Sequence, residues 1–552
     1  MCFDCGKGYV MKKSMLLRAA ALVLILCLGA PMLLSCRNLK LFAPQEEPSE
    51  GESESESVHT SQEQSSPTEE ELLPQVSFNG EQVKFNVMGP GLNSRSIDLG
   101  ADDDLGLAVN VQVKRRNEFI EEKLNVDIVL DRVRNFDQMI GGFYTSLASG
   151  TYFADVVGLY QSFDLGYALG EGTGCFYNLN NMPEGYTNYL NLDALYWDST
   201  LYEELSYKGT AYFFTGDLNQ SYVSTLFVSY VNADLWAEYA DKIAKLPHSG
   251  GYSDPYDIVK NGYWTLDLLI ELADLLYIDN GNTEGEVDYK DQVGVMTYNE
   301  QLNNIMADML AAGSHVNYGT LSADGTPQVA VNTKENVAFY NKLYTLLCET
   351  KAATIPWITS DDEDFDDTYI MDVFAGGNVL VTVNMLHCAG QYLDDMKDEC
   401  LVLPLPMFDH EQYDKNSPSL GYSTQLGDSV NQYAIPKSIG DERIPLVTAT
   451  LEYMGYYSKK WVTPAYYADT LGEKYEKDAR VSEMLELTRK GIYADFIWAW
   501  SNELDNITWK FRTNCLEPNE ELRKANLKTW HRTVQGKLDK LLPKMEEGFL
   551  GG

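Results

Sequence analysis

Apolar and polar positions first alternate in Val83-Lys84-Phe85-Asn86-Val87, which predicts a half-buried strand. Residues 113–124 then switch to helical spacing, with Phe119, Ile120 and Leu124 on one face. Alternation returns over residues 126–130, around Asp127. A second helix is predicted over residues 137–149, where Met139, Ile140, Phe143 and Leu147 share a stripe and Gly150 is placed to end it. Ala154-Asp155-Val156-Val157-Gly158-Leu159 reads as a short buried strand. This strand-helix-strand-helix-strand order predicts a parallel sheet with right-handed crossovers. Ligands of such sheets lie beyond the carboxyl ends of the strands, where Tyr160-Gln161-Ser162 stands.

Farther along, residues 207–214 read as a hairpin, 224–231 as a strand and 232–239 as a short helix. Thr265 is placed to cap a helix whose stripe is Leu266, Leu269, Ile270, Ala273 and Leu276. Trp264, at its entry, is expected to pack inside. More helix is predicted over residues 301–312 and 335–349. Phe374-Ala375-Gly376-Gly377-Asn378 breaks a helix and leads into a strand over residues 379–383. Residues 401–404 and 430–435 read as strands, and residues 445–457 and 519–542 as closing amphipathic helices. Strands and helices alternate throughout, so the class is α/β.

The N-terminal pattern is different in kind. Lys12-Lys13 precede an apolar run from Ala19 to Leu34, which closes as Leu33-Leu34-Ser35-Cys36. A basic head, a short apolar core and a small residue before a cut predict a secretory signal over residues 1–36, with Met11 the better start. The run is shorter than the roughly 20 residues that span a bilayer comfortably. A Cys just after the cut resembles the lipobox of bacterial lipoproteins, in which the Cys is lipidated. The alternative is a plain signal or an uncleaved anchor with a coincidental Cys. Residues 37–79 follow as an acidic, Ser/Glu-rich tether centred on Glu52-Ser53-Glu54-Ser55-Glu56-Ser57. Such a segment cannot bury enough apolar surface to order itself, and like charges extend it.

Composition narrows the function classes. Of 552 residues, roughly 470 remain beyond leader and tether, more than one core accommodates. A net charge of −40 argues against nucleic acid and against broad attachment to anionic lipid, so any membrane association falls to Cys36. The 36 tyrosines suit either a wet surface or polar, ring-shaped ligands. Cys175, Cys348, Cys388, Cys400 and Cys515 form no zinc pattern.

Catalytic signatures are missing. The six histidines have no partners at metal-binding helical spacing, and there is no Gly-x-Ser-x-Gly elbow. Gly170-Glu171-Gly172-Thr173-Gly174 lacks the spacing of a dinucleotide loop and the Lys of a phosphate loop, and reads as a turn. The acidic run of residues 361–367 lacks a calcium-loop frame and reads as a solvated turn. No cofactor, metal or catalytic residue is expected. The 82 acidic residues nevertheless leave a glycosidase-like carboxylate pair open.

From Val83 onward, several segments in order carry a family likeness. They are Ala154-Asp155-Val156-Val157, Lys208-Gly209-x-Ala211-Tyr212, Tyr230-Val231-Asn232-Ala233-Asp234-Leu235, Trp264-Thr265-Leu266-Asp267-Leu268, Phe374-Ala375-Gly376-Gly377-Asn378 and Tyr433-Ala434-Ile435-Pro436-Lys437. Behind a lipobox, this order resembles the extracellular solute-binding proteins of bacterial ABC importers, family 1, in the maltose-binding-protein-like sugar-binding group. The resemblance implies a two-lobed fold of the periplasmic-binding-protein type II kind, hinged between lobes. Residues 80–230 with about 401–458 would form the N-lobe, and about 231–400 with 459–552 the C-lobe. It also implies a carbohydrate held between the lobes by stacking rings and polar groups.

Carried over by position, the ligand contacts are Tyr160 and Gln161 after the third strand, and Asp217, Tyr222 and Ser224 before the Tyr230 segment. Asn384 and His387 follow the Phe374 turn, and Trp498 and Trp500 come late. Of the two tryptophans, one is expected to face the cleft and one the core. Asp217 reads equally as a turn residue, and His387 departs from the family's usual aromatic. The implied protein is a monomeric, lipid-anchored receptor on the outer face of the bacterial membrane, handing a sugar to permease subunits and performing no chemistry. A secreted carbohydrate-active enzyme, or a surface adhesin or sensor, is the alternative.

Overall fold

Two sheets organise the chain, and the first is the one announced by the opening alternation. In the computed structural model the described residues are 69–88, 99–100, 108–133, 141–143, 145–146, 149–160, 175–281, 287–288, 290–298, 305–355, 369–393, 396–426, 430–471 and 478–550. The signal segment with Cys36, the tether up to residue 68, Gln161, the Gly170–Gly174 turn, the acidic run 361–367 and parts of the helix expected over residues 137–149 lie outside them.

Strands β1 (Glu81–Met88), β2 (Val126–Val133) and β3 (Val156–Tyr160) are parallel, with β1 central. Helix Ala108–Leu124 makes the first crossover and buries Val113, Ile120 and Leu124. The second sheet is built from β4 (Phe227–Asn232), β5 (Val293–Tyr298), β8 (Ala353–Ile355), β9 (Val379–Met385) and β10 (Cys400–Leu403), in the order β10-β4-β9-β5-β8. Its inner strands β4 and β9 are buried at every position, the polar Ser229, Asn232, Thr382 and Asn384 included, as strands covered on both faces are. A small hairpin, β6 (Gly319–Leu321) with β7 (Pro327–Val329), stands apart, and β11 (Asn431–Ala434) returns to the first sheet as an antiparallel edge on β3. The chain adopts the α/β class expected from the alternation and the two lobes expected from its length and the family resemblance, each lobe built on one sheet.

Local signals act as chemistry predicts. Thr265 Oγ1 accepts from Leu268 N at 3.2 Å to start helix Leu266–Leu275, and Trp264 beneath it is fully buried with Nε1 donating to Pro404 O at 2.9 Å. In the expected hairpin, Lys208 and Gly209 both take positive φ, the pair a tight hairpin turn demands. Only the bridge from Tyr207 to Thr210 forms there, because Phe214 pairs instead with Tyr433. Asp155 is a staple within the first lobe. Its carboxylate takes Lys84 N at 2.8 Å, the Tyr152 hydroxyl at 2.9 Å and Arg443 Nε at 2.8 Å, tying β1 and β3 to the start of helix Ile444–Tyr457.

Two boundaries differ from expectation. Residues 69–79 are not tether but part of the body: Leu73 is buried in the first core, and the Tyr453 hydroxyl donates to Pro74 O at 2.9 Å. Glu70 accepts from the Tyr457 hydroxyl at 3.0 Å and pairs with Lys460. The acidic composition around them hid one well-placed leucine. At the other boundary, β10 pairs with β4 in the second sheet, and Met407 bonds back to Trp264 and Leu266. Residues from 401 into the 420s therefore belong with the second lobe; the first lobe resumes only at β11. A short strand followed by loop carries no label saying which sheet it joins.

Candidate functional site

The lobes meet where the chain leaves one sheet for the other. Helix Gln220–Ser224 leads directly into β4, and Asn219 fixes it: Oδ1 accepts from Ser221 N and Oγ, while Nδ2 donates to Asn431 O at 2.7 Å on β11. The strand expected over residues 224–231 thus begins later, because a capped helical turn takes its start. Leu226 bridges Leu426, which brings the outgoing and returning segments side by side. Farther on, helix Ile444–Tyr457 runs through a π-turn, Ser458–Val462, into helix Thr463–Leu471. That last helix touches Ala108–Leu124 of the first lobe and Cys388–Tyr392 of the second. π-Turns inside helices recur at functional places.

Five of the residues expected to bind ligand gather at this seam. The Ser224 carbonyl accepts from His387 N at 3.0 Å and from its ring Nδ1 at 3.2 Å. Asn384, on β9 opposite Val228, spends Oδ1 on Met385 N at 2.8 Å. Tyr222 is buried, with the Arg489 guanidinium 5.5 Å from its ring centre. Asp217 is at the seam but already committed: both oxygens stand 3.0 Å from Arg489 Nη2, and Oδ1 also accepts from Thr463 Oγ1 at 2.8 Å. It is a structural link rather than a ligand contact. Of Tyr160, only the backbone is described, paired with Asn431.

The tryptophans correct the expectation of one in and one out. Ile497-Trp498-Ala499-Trp500 is a helical turn capped by Asp495, not an extended segment, and both rings are buried. Trp500 stacks on Phe496 at 5.4 Å between ring centres. Trp498 keeps its indole N–H without a partner.

Residues that carried no signal in the sequence complete the seam. Asp198 caps helix Ser199–Glu204 through Oδ1, which accepts from Leu201 N at 2.9 Å, and the Tyr222 hydroxyl stands beside its buried carboxylate. Burial raises its pKa, and the neighbouring Tyr222 hydroxyl and Arg489 only offset this. At the other end of the same helix, Glu204 accepts from Ala494 N at 2.5 Å, and burial pushes it up to about 7. Asp495 accepts from Tyr318 N at 2.6 Å and Gly319 N at 3.0 Å; burial still lifts it to about 6. Gln220 Oε1 is buried and unpartnered, and the buried Tyr466 hydroxyl has Ser224 and Thr470 beside it. Gln220 and Ser224 are four residues apart, so they share one face of their turn.

A buried polar group without a partner costs about 1–3 kcal/mol, so Gln220 Oε1 calls for a missing hydrogen-bonding partner. No cluster of His, Cys, Asp or Glu suited to a metal occurs among the described residues, and none of the five described cysteines is in a disulfide. Chemically, the seam offers acceptors and hydroxyls beside the rings of Tyr222 and Tyr466, which is equipment for holding a polar molecule.

No family model matches the chain, and no curated protein matches it in sequence. Among solved structures it is similar to the ABC substrate-binding protein Lmo0181 from Listeria monocytogenes, in complex with cycloalternan. That likeness has 13% identity and a TM-score of 0.47, and covers 83% of this chain and 99% of that one.

Proposed function

We propose that this protein is the substrate-binding receptor of an ABC importer, lipid-anchored through Cys36, that encloses a sugar or oligosaccharide between its lobes and passes it to permease subunits. One observation carries the reading: Tyr222, Ser224, Asn384 and His387 lie together where the chain crosses between its two sheets, beside buried polar groups of Asp198, Gln220 and Tyr466. A hydroxyl-rich ligand supplies donors and acceptors to such groups together, and a ring face suits the tyrosine rings. Affinity arises from closure on a preformed site, with no covalent step. Tyr222, Ser224, Asn384, His387 and Trp498 are retained as ligand-facing residues; Tyr160 and Gln161 are retained from the family resemblance alone. The test is thermal unfolding of the chain from Pro67 onward against a panel of mono- and oligosaccharides. A ligand present at 100 times its dissociation constant adds about 2.7 kcal/mol of stability. A shift with the sugar recovered intact supports a receptor; a shift with the sugar cleaved replaces it by an enzyme; a flat panel removes carbohydrate as the cargo.

A further inference from the structure

Two tight turns, one from each lobe, meet tip to tip. The first-lobe turn is Tyr207-Lys208-Gly209-Thr210, closed by Tyr207 N donating to Thr210 O at 3.0 Å and Thr210 N to Tyr207 O at 2.9 Å. It is fixed to the first lobe from its far side, where Leu179 N donates to Ala211 O at 2.8 Å and Phe214 bridges Tyr433. The second-lobe turn joins β6 to β7 over residues 322–326, closed by Ser322 N to Thr326 O at 2.9 Å and Gly325 N to Ser322 O at 2.9 Å. Asp495 holds the base of this hairpin through Tyr318 N and Gly319 N, so Gly325 stands at its tip.

Across the meeting point, Lys208 N donates to Gly325 O at 3.1 Å. Gly325 takes φ +78°, and a Cβ on it would lie 3.0 Å from Lys208 Cα, so the approach calls for a residue with no side chain. From the same first-lobe turn, Lys208 Nζ reaches both oxygens of Glu546, at 2.9 and 3.0 Å, and the Tyr207 hydroxyl donates to one of them at 3.0 Å. Glu546 belongs to helix Glu520–Leu550, which packs on β7 of the second lobe. The Tyr207 ring is 1% exposed, so its hydroxyl is delivered from a packed side chain and not from a free surface one. An exposed ion pair alone holds little. Here a backbone bond, an anchored hydroxyl and a charge pair converge on a single turn.

We propose that these two turns and Glu546 form a latch that restrains the lobes against parting, through contacts that belong to none of the segments crossing between sheets. The latch acts on the protein without ligand and so goes beyond the receptor reading; in a receptor it sets how readily the closed arrangement opens.

The experiment is amide hydrogen exchange of the full, ligand-free chain, read by mass spectrometry. Ala494 N, which donates across the lobes to Glu204, reports their parting, and β1 reports the stability of the first lobe itself. Lys208→Glu sets like charges against each other. It is expected to speed exchange around Ala494 by about fivefold while β1 is unchanged. Lys208→Glu with Glu546→Lys restores the wild-type rate, because the pair is rebuilt in reverse and the Tyr207 hydroxyl accepts as well as donates. Gly325→Asn, a second variant, keeps a residue tolerant of positive φ but sets a side chain against Lys208, and acts as Lys208→Glu does. Faster exchange confined to residues 207–210 and 322–326 would make this an ordinary surface contact and overturn the latch. Faster exchange in β1 as well, or no rescue by the double variant, overturns it equally. None of these outcomes depends on a sugar binding, so the latch and the receptor reading fail separately.

Discussion

Arg489 and Asp217, far apart in sequence, close a buried pair in which one guanidinium nitrogen stands 3.0 Å from each carboxylate oxygen. Asp217 follows the segment that pairs with β11, Arg489 ends a helix packed on β10, and Thr463 adds its hydroxyl from the helix along the seam. The pair therefore joins first-lobe and second-lobe elements where the chain crosses between sheets. The acid that position alone offered to a sugar is already satisfied by the protein.

Removing one partner of a buried pair leaves the other charge uncompensated, at about 3–5 kcal/mol. Asp217→Ala is expected to lose that much in denaturant unfolding, and Asp217→Ala with Arg489→Met to regain a large part. A single-variant loss below about 1 kcal/mol would show the pair to be incidental.

The Tyr466 hydroxyl leads to the opposite expectation. It is buried with Thr470 and Ser224 beside it but makes no well-formed hydrogen bond, so deleting it removes a poorly met group rather than a full bond. Tyr466→Phe should leave the ligand-free protein as stable or up to about 1 kcal/mol more so. The same change should weaken a bound sugar by about tenfold or more, the loss typical of a hydroxyl contact in a closed site. Loss of stability together with unchanged affinity would make Tyr466 an ordinary core residue.

These residues show what the sequence disclosed. The strands at Val83, Val126 and Ala154 were legible because alternation has a period that burial on one face imposes. The Thr265 cap was legible because it acts on backbone three residues away. Helices Ala479–Lys490 and Ile507–Asn514 escaped notice; their polar, weakly patterned sequences draw their helicity from packing on the second lobe. The site was only half legible. Position in a family pattern brought Tyr222, Ser224, Asn384 and His387 to the seam, yet Asp217 proved committed, and Glu204, Arg489 and Asp495 acquired their roles from neighbours hundreds of positions away. Pairing across that separation has no local signature.

Glu204 gives the seam a pH dependence whose sign follows from burial. Its folded pKa is about 7, above the usual carboxylate range, so the native state holds a proton that the unfolded chain releases near pH 4.5. That group's contribution to stability is therefore greatest below about pH 4.5 and is lost as pH rises towards 7. Glu204→Gln keeps an acceptor for Ala494 N and cannot ionise. Chemical denaturation from pH 4 to 8 should show the variant gaining on the wild type as pH rises, with little difference at the acid end. Parallel curves would mean that Glu204 ionises freely in the folded protein.

Leu73 places the end of the acidic segment on the first lobe rather than in solvent. Its side chain is buried beside the residues of helix Ile444–Tyr457, Pro74 accepts from Tyr453, and Glu70 is held by Tyr457 and Lys460. Hydrogen bonding and pairing with Lys460 lower the Glu70 pKa below the usual carboxylate range, but that pair is exposed and secures little by itself. The leucine is the stronger fastening. Truncation of a buried leucine costs about 2–5 kcal/mol, and here the loss falls on a peripheral segment that can detach without unfolding the lobe. Leu73→Ala should accordingly open residues 67–79 to protease while the rest of the chain resists, and should leave sugar affinity unchanged because the seam lies elsewhere. Cleavage spreading at equal rates into β1 would show instead that the clasp and the first sheet unfold as one unit.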